Sequence, residues 1–285
     1  MRRTLLIRVS TGFVFLLISW VAYTQDNQPP ELTISKVKDD LYQIVGDGGN
    51  VGVYVTGEGV ILVDDKFERD FEPIMAKVKS VTDQPVKYIF STHHHADHSG
   101  GNVKFHTTAQ IISTANARKN IVDRKQPNAP DNMVPASVVF TTESAVFLGG
   151  KEVRAIHFGR GHTNGDAVIY FPALRTVHMG DLMAGTTPLF DYAGGGSVAE
   201  FANTLDKVLK LDFDTVIPGH GAVTDKAGLQ TYRNNVEKLR TRATGLIREG
   251  KSQEEVGKAM IAEFGWAPTG LQMQWSLAGM MAELE

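Results

Sequence analysis

The stretch "STHHHADHSGG", residues 91–101, decides how this chain is read. Four of its nine histidines and one aspartate crowd together there, at His93, His94, His95, Asp97 and His98. The stretch follows "VKYIFST", a buried-type strand that delivers His93 just past its C-terminal end. In α/β folds, ligands gather outside the carboxyl ends of strands. His93 and His95 are two apart, so in extended chain both project to one side and can grip one ion, while His94 points away. Asp97 and His98 follow as the chain turns and offer an oxygen and a nitrogen to a second ion. Gly100 and Gly101 let the backbone bend tightly beneath them.

Three later segments extend the pattern. "GRGHTNGD", "HMGDLM" and "VIPGHG" each place one donor at the end of a strand-like run, namely His162, Asp181 and His220. With His93, His95, Asp97 and His98 they make a set of seven nitrogen and carboxylate donors. Two nearby zinc ions require that number if each keeps a position open for water. His106, His157 and His178 read as ordinary core or surface histidines.

Composition narrows the chemistry. The 285 residues are 42% hydrophobic and 21% charged, an ordinary globular balance. A formal net charge of -3 gives no reason to expect nucleic acid as a partner. There is no cysteine, which excludes disulfides, iron–sulfur clusters, thiolate zinc sites and cysteine nucleophiles. Any metal must be held by nitrogen and oxygen.

The beginning differs from the rest. "MRRTLLIRVSTGFVFLLISWVAYTQDNQPP" has Arg2, Arg3 and Arg8, then an apolar run from Val9 to about Tyr23, then polar residues and Pro29–Pro30. That is the order of a secretory signal peptide over residues 1–24, with Ala22 and Thr24 at the small-residue positions. The expectation is a periplasmic or secreted protein with no stable membrane association after cleavage. An uncleaved anchor is the competing reading, but Arg8 shortens the apolar run.

Residues 25–285 read as one layered α/β domain with strands in both halves. "LYQIV", "VGVYVT" and "GVILVDD" are short strands between glycine-containing turns. "FEPIMAKVKSVT" has helical spacing, with Phe71, Ile74, Met75 and Val78 on one side. "AQIISTANARKNIVD" is a strand running into a helix, and residues 126–137 form a loop. "AVFLGGKEVRAIHF" is a hairpin, "AVIYFPALRTVHMGD" two more strands, and "VAEFANTLDKVLKL" an amphipathic helix. "DTVIPGHG" is a strand and loop, and the last sixty residues are largely helical.

"THHHADH" resembles the His-x-His-x-Asp-His motif of the metallo-β-lactamase-fold superfamily, and "GHTNGD", "GD" and "GHG" match its later ligand motifs in order. The resemblance covers nearly all of residues 25–285. It implies an αββα sandwich with two Zn2+ ions at one edge. The first would be held by His93, His95 and His162 and the second by Asp97, His98 and His220, with Asp181 bridging them. The implied reaction is hydrolysis of a small-molecule substrate by a hydroxide shared between two zincs. Asp97 is the candidate catalytic residue that orients it.

The aspartate at position 181 is the type shared by thioesterases, lactonases and phosphodiesterases of that superfamily. Its β-lactamases typically carry cysteine or serine there. Export favours β-lactam hydrolysis, and a phosphodiesterase should show a more basic surface. The expected substrate is a small cyclic amide, lactone or ester. An iron-dependent oxidoreductase resembling the sulfur dioxygenases is the alternative, since those relatives keep the histidines. "TTPLFDYAGGGS", residues 186–197, follows the bridging aspartate, so Tyr192 and Ser197 are candidate substrate contacts.

Overall fold

The computed structural model describes residues 31–285, of which Leu32–Glu285 form one compact unit. The expected signal peptide lies outside the described residues. No helix among them is long and apolar enough to cross a membrane.

Two sheets face each other. The first is ordered sequentially: β1 (Thr33–Lys38), β2 (Leu41–Val45), β3 (Val51–Val55), β4 (Val60–Val63), β5 (Val86–Phe90), β6 (Gln110–Thr114) and β7 (Val138–Phe140). Its first four strands are antiparallel, because short turns can join only antiparallel neighbours. From β4 to β7 the pairing is parallel, with Ile61 opposite Tyr88 and Ile89 opposite Ile111. Those crossovers carry α1 (Phe71–Lys79), the one-turn helices α2 (Ala96–Ser99) and α3 (Asn102–Phe105), and α4 (Ala115–Val122).

The second sheet runs β8 (Glu143–Leu148), β9 (Lys151–Ile156), β10 (Val168–Phe171), β11 (Thr176–His178), β12 (Thr215–Ile217) and β13 (Thr224–Asp225). The β8–β9 hairpin turns on Gly149 and Gly150, both at positive φ (55° and 74°), as the tightest two-residue turn demands. β11 and β12 are parallel, joined through α5 (Val198–Val208). Helices α6 (Lys226–Arg248), α7 (Gln253–Phe264) and α8 (Leu277–Leu284) complete the chain, with a π-helical turn over Gln272–Ser276 before α8. Ser197, Asp225 and Ser252 cap α5, α6 and α7 by accepting amide hydrogen bonds in the first turn.

Three apolar layers hold this together. Between the sheets lie Leu41, Ile61, Val63, Phe90 and Ile112 from one side and Val153, Ala155, Ile169 and Ile217 from the other. Outside the first sheet, Ile74 and Val78 of α1 and Phe105 of α3 cover Val53, Leu62 and Ile89. Outside the second, Phe201, Leu205, Leu229, Val236, Val256 and Met280 of α5 to α8 cover Val168, Val177 and Val216. The strands therefore alternate between two buried faces, and the architecture is the αββα sandwich expected from the sequence.

Some elements escaped the sequence reading. β1, β7 and β13 are edge or near-edge strands whose short runs lack a clean alternation of apolar and polar residues. α2 and α3 are single turns set inside the histidine stretch and just after it, where composition points to a loop.

Candidate metal centre

The seven predicted donors come from both sheets and meet at one edge. β5 ends at Phe90, and Ser91 and Thr92 carry the chain to His93. β9 leads to His162, β11 to Asp181 and β12 to His220. His95 precedes α2, whose single turn presents Asp97 and His98. Glycine is required where the backbone touches this cluster. A Cβ at Gly49 would collide with the His98 ring, and one at Gly219 with the Asp181 carboxylate.

Two donor groups result. In the first, His95 Nδ1 lies 3.1 Å from His93 Nε2 and 3.0 Å from His162 Nε2. Asp181 Oδ2 is 3.7 Å from His162 Nε2. In the second, His98 Nε2 lies 3.2 Å from His220 Nε2 and 3.5 Å from Asp97 Oδ2. Asp181 Oδ1 is 3.2 Å from His98 Nε2 and 3.5 Å from His220 Nε2. Asp181 thus turns one carboxylate oxygen to each group.

Proton placement shows why these atoms fit cations. Leu189 O, 2.9 Å from His162 Nδ1, can only accept, so that nitrogen carries the proton and Nε2 keeps its lone pair. Asp191 Oδ2, 2.9 Å from His95 Nε2, likewise draws the His95 proton away from Nδ1. Two lone pairs then face each other at 3.0 Å. A tetrahedral zinc with Zn–N near 2.0–2.1 Å sets its ligand atoms about 3.3 Å apart, close to the spacing found here. Asp181 Oδ1 is fully buried without a well-aligned donor, which a cation would also remedy.

The two groups differ electrically. Burial, with His98 and His95 nearby, holds the His93 ring well below its ordinary pKa, so it is a neutral donor. In the second group, burial alone would lower His98 and His220. The carboxylates of Asp181 and Asp97 outweigh it, holding His98 well above its usual value and His220 up at about 9. Burial opposes ionisation of Asp181, but His98 and His220 hold it well below the usual carboxylate range. A cation entering here replaces protons on those rings.

Residues outside the predicted seven fix the donors. Asp64, fully buried at the end of β4, accepts from His98 Nδ1 (2.8 Å), Thr92 N (2.6 Å) and Thr92 Oγ1 (2.8 Å). Asp191 plays the corresponding part for His95, and accepts from Gly194 N at 3.1 Å. Such carboxylates set the tautomer and donor strength of a ligating imidazole. Lys66, buried completely, donates to Asp47 O (2.8 Å) and Gly49 O and so shapes the β2–β3 turn against His98. Burial pushes its ammonium down to about 8.

His178 is not among the donors, yet it braces them. Its Nε2 donates to Asn50 O (3.1 Å), while Nδ1 accepts from Gly180 N (3.2 Å) beside Asp181. Asn50 in turn donates to Pro218 O and Gly221 O on either side of His220. His94 is 1% exposed, and its Nε2 lies 3.5 Å from Asp191. With His95 and Asp191 it forms a third set of closely spaced donor atoms. His106 and His157 bond to backbone carbonyls elsewhere.

Tyr192 and Ser197 are engaged within the fold. The Tyr192 hydroxyl donates to Glu283 Oε2 (2.7 Å) and Ser197 Oγ donates to Glu283 Oε1, so both tie the segment after Asp181 to α8. Asp64, Asp191 and Lys66 carried no sequence signal beyond being polar residues in apolar or glycine-rich surroundings. Their partners are not local neighbours, lying 17 and 19 residues away for Lys66, 34 for Asp64 and His98, and 96 for Asp191 and His95.

Comparison with known proteins agrees with this geometry. A family model described as the metallo-beta-lactamase superfamily matches residues 44–220. Metallo-beta-lactamase IND-1 from Chryseobacterium indologenes is 28% identical over 171 residues, covering 58% of this chain and 69% of that protein. A hydroxyacylglutathione hydrolase from Crocosphaera subtropica is 25% identical over 201 residues, covering 65% and 73%. Among solved structures, the DIM-1 metallo-beta-lactamase superposes with a TM-score of 0.64 at 21% identity, over 74% of this chain and 99% of that one, a likeness of fold. With more than half of its length matched by the family model, the chain belongs to the metallo-beta-lactamase superfamily.

Proposed function

We propose that the protein is an exported hydrolase that uses two zinc ions to open a small cyclic amide, lactone or ester. The observation that carries this reading is the split carboxylate of Asp181, one oxygen to each of two donor groups. Bound divalent cations supply Lewis acidity there, polarising a carbonyl and lowering the pKa of water.

The chain's own residues do the rest. His93, His95 and His162 would hold the first ion and Asp97, His98 and His220 the second, with Asp181 able to serve both. Asp97 also faces outward and orients the attacking water by accepting its proton in a hydrogen bond. Solvent reaches the centre on that side, because the side chains of Asp97 and His220 are 23% and 35% exposed while His93, His95 and His162 are nearly sealed. No protein nucleophile is required, in keeping with the absence of cysteine. Nitrogen and oxygen donors without thiolate suit zinc.

Two relatives support hydrolysis of a small molecule: one is named a metallo-beta-lactamase, the other a hydroxyacylglutathione hydrolase. The basic and apolar start of the sequence supports export, and an exported enzyme meets β-lactams directly. The test is turnover of a chromogenic cephalosporin, an aliphatic lactone and a thioester by the purified zinc-loaded chain. Chelator-sensitive hydrolysis of any of them sustains the reading and names the class. Inertness toward all three, with metal bound, removes it.

A further inference from the structure

The residues that choose the substrate are not among the metal donors. The first group is closed on most sides by its own chain, but one side chain from the far end of the sequence reaches it. The indole of Trp275 lies with its centroid 5.2 Å from that of His95, their planes 56° apart. Rings at that tilt are not stacked face to face, and Trp275 remains partly exposed. The other tryptophan among the described residues, Trp266, is buried.

The position of Trp275 is fixed with care. It sits in the π-helical turn Gln272–Ser276, a rare geometry that recurs at functional sites. The adjoining Ser276 is fully buried, accepts from Phe190 N (2.9 Å) and donates to Phe190 O (3.0 Å). Phe190 directly precedes Asp191, the partner of His95. The turn that carries the indole is therefore pinned to the loop that orients a first-group donor. Trp275 also lies outside residues 44–220, the part of the chain that the family model matches.

We propose that Trp275 is a specificity-determining residue, whose indole receives a flat apolar group of the substrate next to the bond being cut. The inference rests on the hydrolase reading and narrows it, favouring an aryl or fused-ring acyl substrate over a small aliphatic one. The hydrolysis product of such a substrate is an arylalkyl carboxylate, which gives a probe independent of turnover.

The experiment is calorimetric titration of the zinc-loaded full chain with phenylacetate and with acetate, repeated for Trp275→Ala and Trp275→Phe, with zinc content measured for each. Wild type should bind phenylacetate about fivefold more tightly than acetate, in line with one ring-on-ring contact. Trp275→Phe should keep most of that preference and Trp275→Ala should lose it, with acetate binding and zinc content unchanged. Persistence of the preference in Trp275→Ala would overturn the proposal. So would an equal loss for both acids or a loss of zinc, since Trp275 would then only cover His95. Wild-type protein that binds zinc but neither acid would overturn the proposal and leave the hydrolase reading to the turnover test above, which keeps the two failures apart.

Discussion

The two donor groups share Asp181 yet are built on opposite plans. The first is a dry cluster of three histidines, 1%, 3% and 0% exposed, each ring held by an outward hydrogen bond to Thr92, Asp191 or Leu189. The second is charge-rich and open, with Asp97 and His220 reaching solvent. A dry, pre-oriented cluster binds a cation by geometry. An acidic, half-open one binds by charge and lets ligand and water exchange. On the proposed two-ion reading, the difference would give retention to the first group and access to the second.

The largest expected effect comes from breaking the sealed group. His95→Ala should bring hydrolysis below detection while the chain still folds, with a lowered thermal transition because buried Asp191 loses its imidazole partner. Wild-type turnover in that variant would show that the first group is not catalytic.

His178 sharpens the contrast on the open side. Burial pushes its pKa down to about 4, so it is neutral in the fold. Between pH 6.5 and 4 the unfolded chain binds a proton at this residue that the folded chain does not. Stability therefore falls as pH drops through that window and is recovered as pH rises. The loss is about 3 kcal/mol at the bottom of the window, from the size of the shift. Denaturant titrations across the window should show a shallower acid loss for His178→Gln than for wild type. Identical slopes would remove His178 as the source. The comparison with the variant matters because Asp166, raised by burial to about 6, works in the opposite direction over an overlapping range.

Asp191→Asn and Asp64→Asn should separate the groups in a graded way. Each removes the charged partner of one donor imidazole, so Asp191→Asn should weaken the first site and Asp64→Asn the second, by about 10–100-fold, with a smaller effect of Asp64→Asn on the first through Thr92 and His93. Competition with a chromophoric chelator reads both. Equal weakening of both sites by either variant would mean that the groups are not independent.

The smallest effect is expected at Gln126, whose Oε1 accepts from Ala96 N at 2.8 Å at the start of α2. Gln126→Ala should cost about 1 kcal/mol of stability, as for other lost helix-start caps, without altering zinc content. A change in zinc content would place this loop inside the metal centre.

The sequence disclosed the donors better than their supports, and for a physical reason. Each donor follows a strand end by a few residues, so apolar runs followed by His or Asp mark it locally. A layered α/β domain was legible for the same reason, since buried runs such as "VILV" and "VKYIF" need cover on both faces, while the αββα order came from the family resemblance. Asp64, Asp191 and His178 act through partners dozens of residues or more away, and no local pattern announces them. Trp275 shows the same limit: its tail reads as a packed helix until the fold brings it beside His95.

The measurement that tests this account most directly is zinc content of the purified chain during dialysis against a chelator, with hydrolysis followed in the same samples. The account predicts nearly two zinc ions per chain, lost in two phases. The open group should empty first, and activity should fall with it. About one iron per chain, or a single phase that removes both ions together, would contradict it.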